Sequence, residues 1–254
     1  MAATYTSRRD LLEQLRWNDE NFTRMGRRQL EVLLHEGLRP ESLVLDVGCG
    51  MLCGGYWVMR FLNPGCYFGI EPNKASLQAG LDWIMEPEVL AQAKPRFDNN
   101  DDFDLGVFDC KFDFVIARSI WTHASKPQIR AMLDGFVQHG AAGAVLMTTY
   151  VPAAFRVVPR VFSTLSPKVP ARLSVASTLP AWTPRIAAHL PTRSDYLGED
   201  WVGRTATCDV PGIIAHSFGW VAEECRRREL EVIQLRHLDS NRQRWLRIRR
   251  VTAP

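Results

Sequence analysis

The chain has 254 residues, a net charge of +3 and 23% charged residues, enough for one sizeable domain with an insertion and ordinary for a globular protein. So small a charge does not argue for nucleic acid, and no apolar run approaches the roughly 20 residues that span a membrane. Residues 1–10 carry no signal-peptide core, and the six cysteines (Cys49, Cys53, Cys66, Cys110, Cys208 and Cys225) form no Cys-x-x-Cys pair, so a cytoplasmic protein with reduced thiols and no metal site is expected.

Residues 7–36 show helical spacing (Leu11, Leu12, Leu15, then Phe22, Met25, Leu30, Leu33), with Ser7 and Asp10 placed to cap the first helix. Residues 1–40 therefore read as a helical cover. Leu43 to Val47 is an apolar run that empties into Gly48-Cys49-Gly50, the look of a buried parallel strand ending in a ligand-binding turn. A helix over 56–62 follows, then a strand from Cys66 to Glu71, a helix over 74–84 and a short strand at Pro95–Phe97. After the acidic loop Asn99–Phe103 come a strand from Phe112 to Ala117, a helix from Lys126 to His139 and a strand from Gly143 to Tyr150. Strands alternating with helices argue for a doubly wound, mainly parallel α/β sheet.

Residues 151–204 break this pattern. They are proline-rich and aperiodic but hold Phe155, Phe162, Trp182, Tyr196 and Trp201, and so read as an ordered lid or substrate-binding insertion. The core, 41–150, resumes over 205–254 with a helix over 213–229 and two strands, Glu231–Leu235 and Trp245–Ile248. The turn between them (Asp239-Ser240-Asn241) is too short for a crossover, so the seven-stranded sheet ends with an antiparallel strand.

Which cofactor suits the turn is decided by its neighbours. Glu71, 25 residues after Asp46, can accept hydrogen bonds from both hydroxyls of an adenosine ribose. A dinucleotide fold needs Gly-x-Gly-x-x-Gly to hold a pyrophosphate, but Cys53 stands at the third glycine. Asp46 ahead of the turn would repel a pyrophosphate and suit a ligand with a cationic amino group. S-adenosylmethionine fits better than a dinucleotide.

Asp46-Val47-Gly48-Cys49-Gly50, Gly69-Ile70-Glu71, the loop with Asp102-Phe103, and Phe112 to Ala117 together resemble the successive motifs of class I S-adenosylmethionine-dependent methyltransferases. Ala117 to His123 is similar to the loop after the fourth strand of small-molecule members. The resemblance covers 41–150 and the C-terminal hairpin in outline, not the insertion. It implies that Gly48 and Gly50 pass the methionine part of the cofactor, that Glu71 binds the ribose, that Asp102 and Phe103 serve the adenine, and that the backbone at Ala117 and Arg118 closes the methionine end. Leu52 departs from the pattern, standing where a third glycine is common.

Methyl transfer from a sulfonium is an in-line displacement, so holding the acceptor aligned is the main task, and a hydroxyl acceptor gains from a base. His123, after the fourth strand, is the first candidate base and His216 the second; Tyr150 ends the fifth strand and can also face the acceptor. Trp121, Trp182 and Trp201 are candidate substrate-binding walls. Arginines from Arg226 to Arg250 interleave with Glu223, Glu224, Glu229 and Glu231, which favours a solvated, self-paired surface over a nucleic-acid face. The expected acceptor is a small molecule, a specialised metabolite or sugar-containing compound methylated on oxygen or nitrogen. RNA or protein methylation and a non-catalytic cofactor-binding module are the alternatives.

Overall fold

The computed structural model describes residues 7–14, 18–153, 196–197, 200–203, 207–209, 212–239 and 243–251, and the statements below concern these. Phe155, Phe162, Trp182 and most of the lid expected over 151–204 lie outside the described residues, as do Asn241 and Arg242.

Two helices come first, α1 (Arg8–Gln14) and α2 (Asp19–His35). Ser7 accepts the Asp10 amide at 3.1 Å, the cap expected for α1, and Asn18 caps α2. Then follow β1 (Val44–Val47), α3 (Gly55–Phe61), β2 (Tyr67–Ile70), α4 (Lys74–Trp83), α5 (Pro87–Ala93), β3 (Arg96–Asp98), β4 (Phe112–Ala117), α6 (Lys126–His139) and β5 (Gly140–Tyr150). The sequence reading passed over α5, which starts with proline at its first turn, where the missing N–H costs nothing. Ser125 and Gln128 form a reciprocal capping box on α6.

The central sheet has the order β3-β2-β1-β4-β5-β10-β9, with β9 (Leu230–Leu238) and β10 (Arg244–Arg250) at one edge. β10 runs antiparallel to both neighbours, and the pairs among β1 to β5 are parallel. All four residues of β1 and of β2 are buried, because helices cover both faces of this part of the sheet. Val44, Tyr67, Ile116 and Trp245 join the core under α1 to α5; Leu45, Phe68, Val115 and Leu246 join the core under α6 and the last helix.

One expected element is corrected. The helix read over 213–229 is a strand, β8 (Ile214–His216), followed by α7 (Phe218–Arg226). Ser217 accepts the Trp220 amide at 3.1 Å and caps α7, so no helix begins before it. β8 pairs with β7 (Trp201–Gly203), which pairs with β6 (Tyr196–Leu197), in a small antiparallel sheet. That sheet is tied to the end of β5, where the His216 amide donates to the Val151 carbonyl and the Ala153 amide to that of His216. No helix among the described residues is long and apolar enough to cross a membrane.

Candidate cofactor and acceptor site

β1 and β2 pair with Val47 opposite Ile70, so Gly48 and Glu71 leave the sheet side by side. The amides of Gly48 and Cys49 donate to the Ile70 carbonyl at 2.8 and 3.2 Å, fastening the turn to β2. Gly48 and Gly50 take φ of +71° and +56°, the left-handed region that glycine enters without strain. A Cβ on Gly48 would stand 2.1 Å from Ile120 Cδ1, whereas one on Gly50 would meet no atom within 4 Å. The loop after β4 therefore rests on Gly48, and open space lies over Gly50.

Leu52 holds φ of +66°, so this residue adopts the conformation a glycine would have taken. The left-handed backbone costs a leucine about 1 kcal/mol. Its side chain is fully buried, which contributes about 2 kcal/mol and outweighs that strain. The third glycine is dispensable here because Leu52 anchors the turn in the core.

Glu71 is fixed at both oxygens. The Gly50 amide donates to Oε2 and the Asn73 amide to Oε1, each at 2.8 Å, while Asn99 Nδ2 donates to the Glu71 carbonyl at 2.8 Å. Each carboxylate oxygen keeps lone-pair capacity for a further donor. Asn73 and Asn99 escaped the sequence reading, although Asn73 doubles as the cap of α4, a signal that was there to be read.

Asp46 is buried and accepts from Tyr67 Oη at 2.7 Å. Burial is the main reason its carboxyl is pushed up to about 7; the Tyr67 bond works against that, and the Glu71 charge adds to it. The thiols of Cys49 and Cys53 are buried beside it and pushed up, Cys53 to about 12, so both are small packing groups rather than nucleophiles. Asp102 is exposed, with Oδ1 3.3 Å from the Asp104 amide, and Phe103 beside it is half-buried at φ +62°. Among the described residues no group of three or more His, Cys, Asp and Glu side chains is arranged to hold a metal ion.

Ala117 is buried at the end of β4, and the Arg118 guanidinium pairs with Asp239 through Nε (2.6 Å) and Nη2 (3.3 Å). His123 lies on the same loop with an exposed ring. The other candidate bases are enclosed. His216 is buried and stacked on Trp220, with Nε2 3.2 Å from the Ala124 carbonyl; burial lowers its pKa to about 4. Tyr150 is buried, donates to Gln234 Oε1 at 2.5 Å and is pushed up to about 12 by burial. Trp121 is a core residue whose indole donates to Met132 Sδ at 3.1 Å, and Trp201 is buried in β7 opposite His216.

α2 packs across the turn. A Cβ on Gly26 would lie 2.2 Å from the Cys53 carbonyl oxygen, so only glycine lets the helix come this close. The neighbouring face of α2 lines a cavity of about 830 Å³ with Thr23, Arg24, Met25, Arg27 and Arg28, and Asp239 also borders it. Its wall is otherwise all from α2, and Asp239 reaches it from the far end of the chain.

The C-terminal arginines are largely self-paired. Arg226 and Arg227 bond Glu223, Arg228 bonds Asp134 and Glu224, Arg247 bonds Glu36, and Arg249 lies 3.6 Å from Glu231.

No family model matches the sequence. Solved structures do resemble the fold. Magnesium protoporphyrin IX methyltransferase from Synechocystis PCC 6803, with S-adenosylmethionine bound, superposes with a TM-score of 0.55 at 14% identity, over 90% of this chain and 79% of that one. The glycopeptide N-methyltransferase MtfA, complexed with sinefungin, gives 0.58 at 11% identity, over 89% and 94%. An S-adenosylmethionine-dependent methyltransferase from Clostridium acetobutylicum gives 0.57 at 9% identity, over 91% and 93%. At such identities the likeness is one of architecture: the chain has the fold of class I S-adenosylmethionine-dependent methyltransferases.

Proposed function

We propose that the protein binds S-adenosylmethionine over the turn after β1 and transfers its methyl group to an oxygen or nitrogen of a small molecule. The observation that carries this reading is Glu71, whose carboxylate is oriented by the Gly50 and Asn73 amides beside the open space over Gly50. Two ribose hydroxyls can donate to such a group, and charge-assisted bonds of this kind are the strong ones. We assign Asp102 and Phe103, in the loop after β3, to the adenine. Ala117 and Arg118 bound the methionine end. A cationic amino group bound near Asp46 would favour the ionised carboxylate against its burial, which a phosphate would not.

Bound there, S-adenosylmethionine supplies a methyl group on a positively charged sulfur, open to in-line displacement. The chain's part is to align the acceptor and keep water away. We assign the acceptor to the cavity beside α2, whose volume suits a small molecule. Arg24, Arg27 and Arg28 with Asp19, Glu20 and Glu31 make that wall polar and of mixed charge, and Asp239 joins it to Arg118 at the end of β4. His123 is the base we assign for a hydroxyl acceptor, since its ring is exposed whereas His216 and Tyr150 are engaged in the interior. Trp121 and Trp201 pack the protein and do not need to touch substrate.

A small acceptor is favoured over RNA by the pairing of Arg226, Arg227, Arg228 and Arg247 with neighbouring carboxylates, which draws much of the C-terminal arginine cluster into contacts within the chain. The test is methyl transfer from labelled S-adenosylmethionine to panels of hydroxylated and amino compounds. Transfer to a small acceptor that weakens in the Arg24→Gln/Arg27→Gln variant supports the assignment. Transfer only to RNA or protein, or to nothing while the cofactor still binds, overturns it. Loss of the acidic arm of a pH profile in His123→Ala supports the base, and an unchanged profile removes it.

A further inference from the structure

The loop after β4 is held by groups far away in sequence. Ser119 sits at φ +63°, a conformation that a serine keeps only when its surroundings impose it. Its amide donates to Thr149 Oγ1 at 2.7 Å, and its hydroxyl donates to Gln243 Oε1 at 2.9 Å. Thr149 Oγ1 donates to the same Gln243 oxygen at 2.5 Å, which closes a ring of hydrogen bonds. The Ser119 carbonyl accepts from Thr122 Oγ1 at 2.7 Å. Thr149 and Gln243 are both buried, so each of these bonds is made out of competition with water. One residue earlier Arg118 is held by Asp239, and Asp239 and Gln243 belong to the same turn, closed by the Asp239 amide on the Gln243 carbonyl at 2.9 Å. One residue later Ile120 rests on Gly48.

We propose that Gln243, with Thr149, is a positioning residue. From the β9–β10 turn it sets the left-handed conformation of Ser119 and so places residues 117–120 against the methionine end of the cofactor turn. This inference rests on the S-adenosylmethionine reading above. Its ligand signature is selective. S-adenosylhomocysteine reaches both the ribose site at Glu71 and the methionine end, whereas adenosine reaches only the former. A general loosening of the fold weakens both ligands, and a misplaced loop weakens one.

The test compares the two ligands by calorimetry on the full chain, with Gln243→Leu and Gln243→Glu beside the native protein. Leucine keeps the volume and removes the acceptor; glutamate keeps an oxygen in place. We expect Gln243→Leu to bind S-adenosylhomocysteine at least tenfold more weakly and adenosine within twofold of the native chain, and Gln243→Glu to recover most of the loss. Should Gln243→Leu not fold, Thr149→Val against Thr149→Ser asks the same question, with loss expected in valine and recovery in serine. Hydrogen exchange over residues 117–123 should speed up in the leucine and valine variants with or without ligand. Equal loss for both ligands, or no loss with faster exchange, overturns the positioning role and leaves the cofactor reading standing. A native chain that binds neither ligand overturns the cofactor reading, and the positioning role with it, even if the exchange result is as expected.

Discussion

The two ends of the carboxyl edge of the sheet are built differently. At β1 and β2 the turn is held by residues close in sequence: Gly48 bonds Ile70, and Gly50 and Asn73 bond Glu71, all within about 25 positions. At β4 and β5 the loop is fixed by Gln243 and Asp239, more than 90 positions away. The first end is a local pattern that any chain with these residues repeats. The second exists only when the C-terminal hairpin has docked, because β10 lies beside β5 in the finished sheet.

This contrast explains what could be read beforehand. The buried strands, the turn and the antiparallel last strand are legible because short apolar runs and glycine spacing report local geometry. Gln243 carries no such signal, since a single polar residue in a turn looks alike whether exposed or buried. β8 does not show as a strand in the sequence because Ile214-Ala215-His216 is too short for its alternation to register, and Ser217 after it is the cap that starts the helix. Leu52 looked like a defect, and only its burial shows how the turn keeps its shape.

Several changes would sharpen the comparison, beginning with the most damaging. Gly48→Val puts branched bulk where even a Cβ is 2.1 Å from Ile120 and forces a left-handed conformation on a β-branched residue. It should lower S-adenosylhomocysteine affinity by about 100-fold or more, measured by calorimetry. Gly50→Ala meets only backbone strain and open space over the turn, and its loss of affinity should be clearly smaller.

The two regions also titrate with opposite sign. In the folded chain Asp46 holds its proton up to about 7 because it is buried, while in the unfolded chain it ionises near 4. Between these values the folded state binds more protons, so this group removes stability as pH rises, on the order of a few kcal/mol in total. His216 near the other end has its pKa lowered to about 4 by burial, against an ordinary 6.5. Its contribution is complete above pH 6.5 and is lost as pH falls toward 4. Asp46→Asn should therefore flatten the decline in stability between pH 4 and 7, and His216→Gln should remove the loss on acidification from 6.5, both read from urea unfolding across pH. If neither substitution alters the slope, the burial argument fails at both ends.

The smallest effect is expected far from either end. Arg226 and Glu223 are a surface pair, so Arg226→Gln should leave the thermal midpoint unchanged within error and leave ligand binding as it was. A large shift there would mean that the C-terminal arginines hold more than their carboxylate neighbours.

The central claim is that Glu71 and the turn it bonds form a ribose-binding site for S-adenosylmethionine. The direct measurement is calorimetric titration of the native chain and Glu71→Ala with S-adenosylhomocysteine. Binding by the native chain and a loss of about 100-fold in the variant is the predicted result, the effect of removing two charge-assisted hydrogen bonds. No binding by the native chain, or equal binding by both proteins, would contradict it.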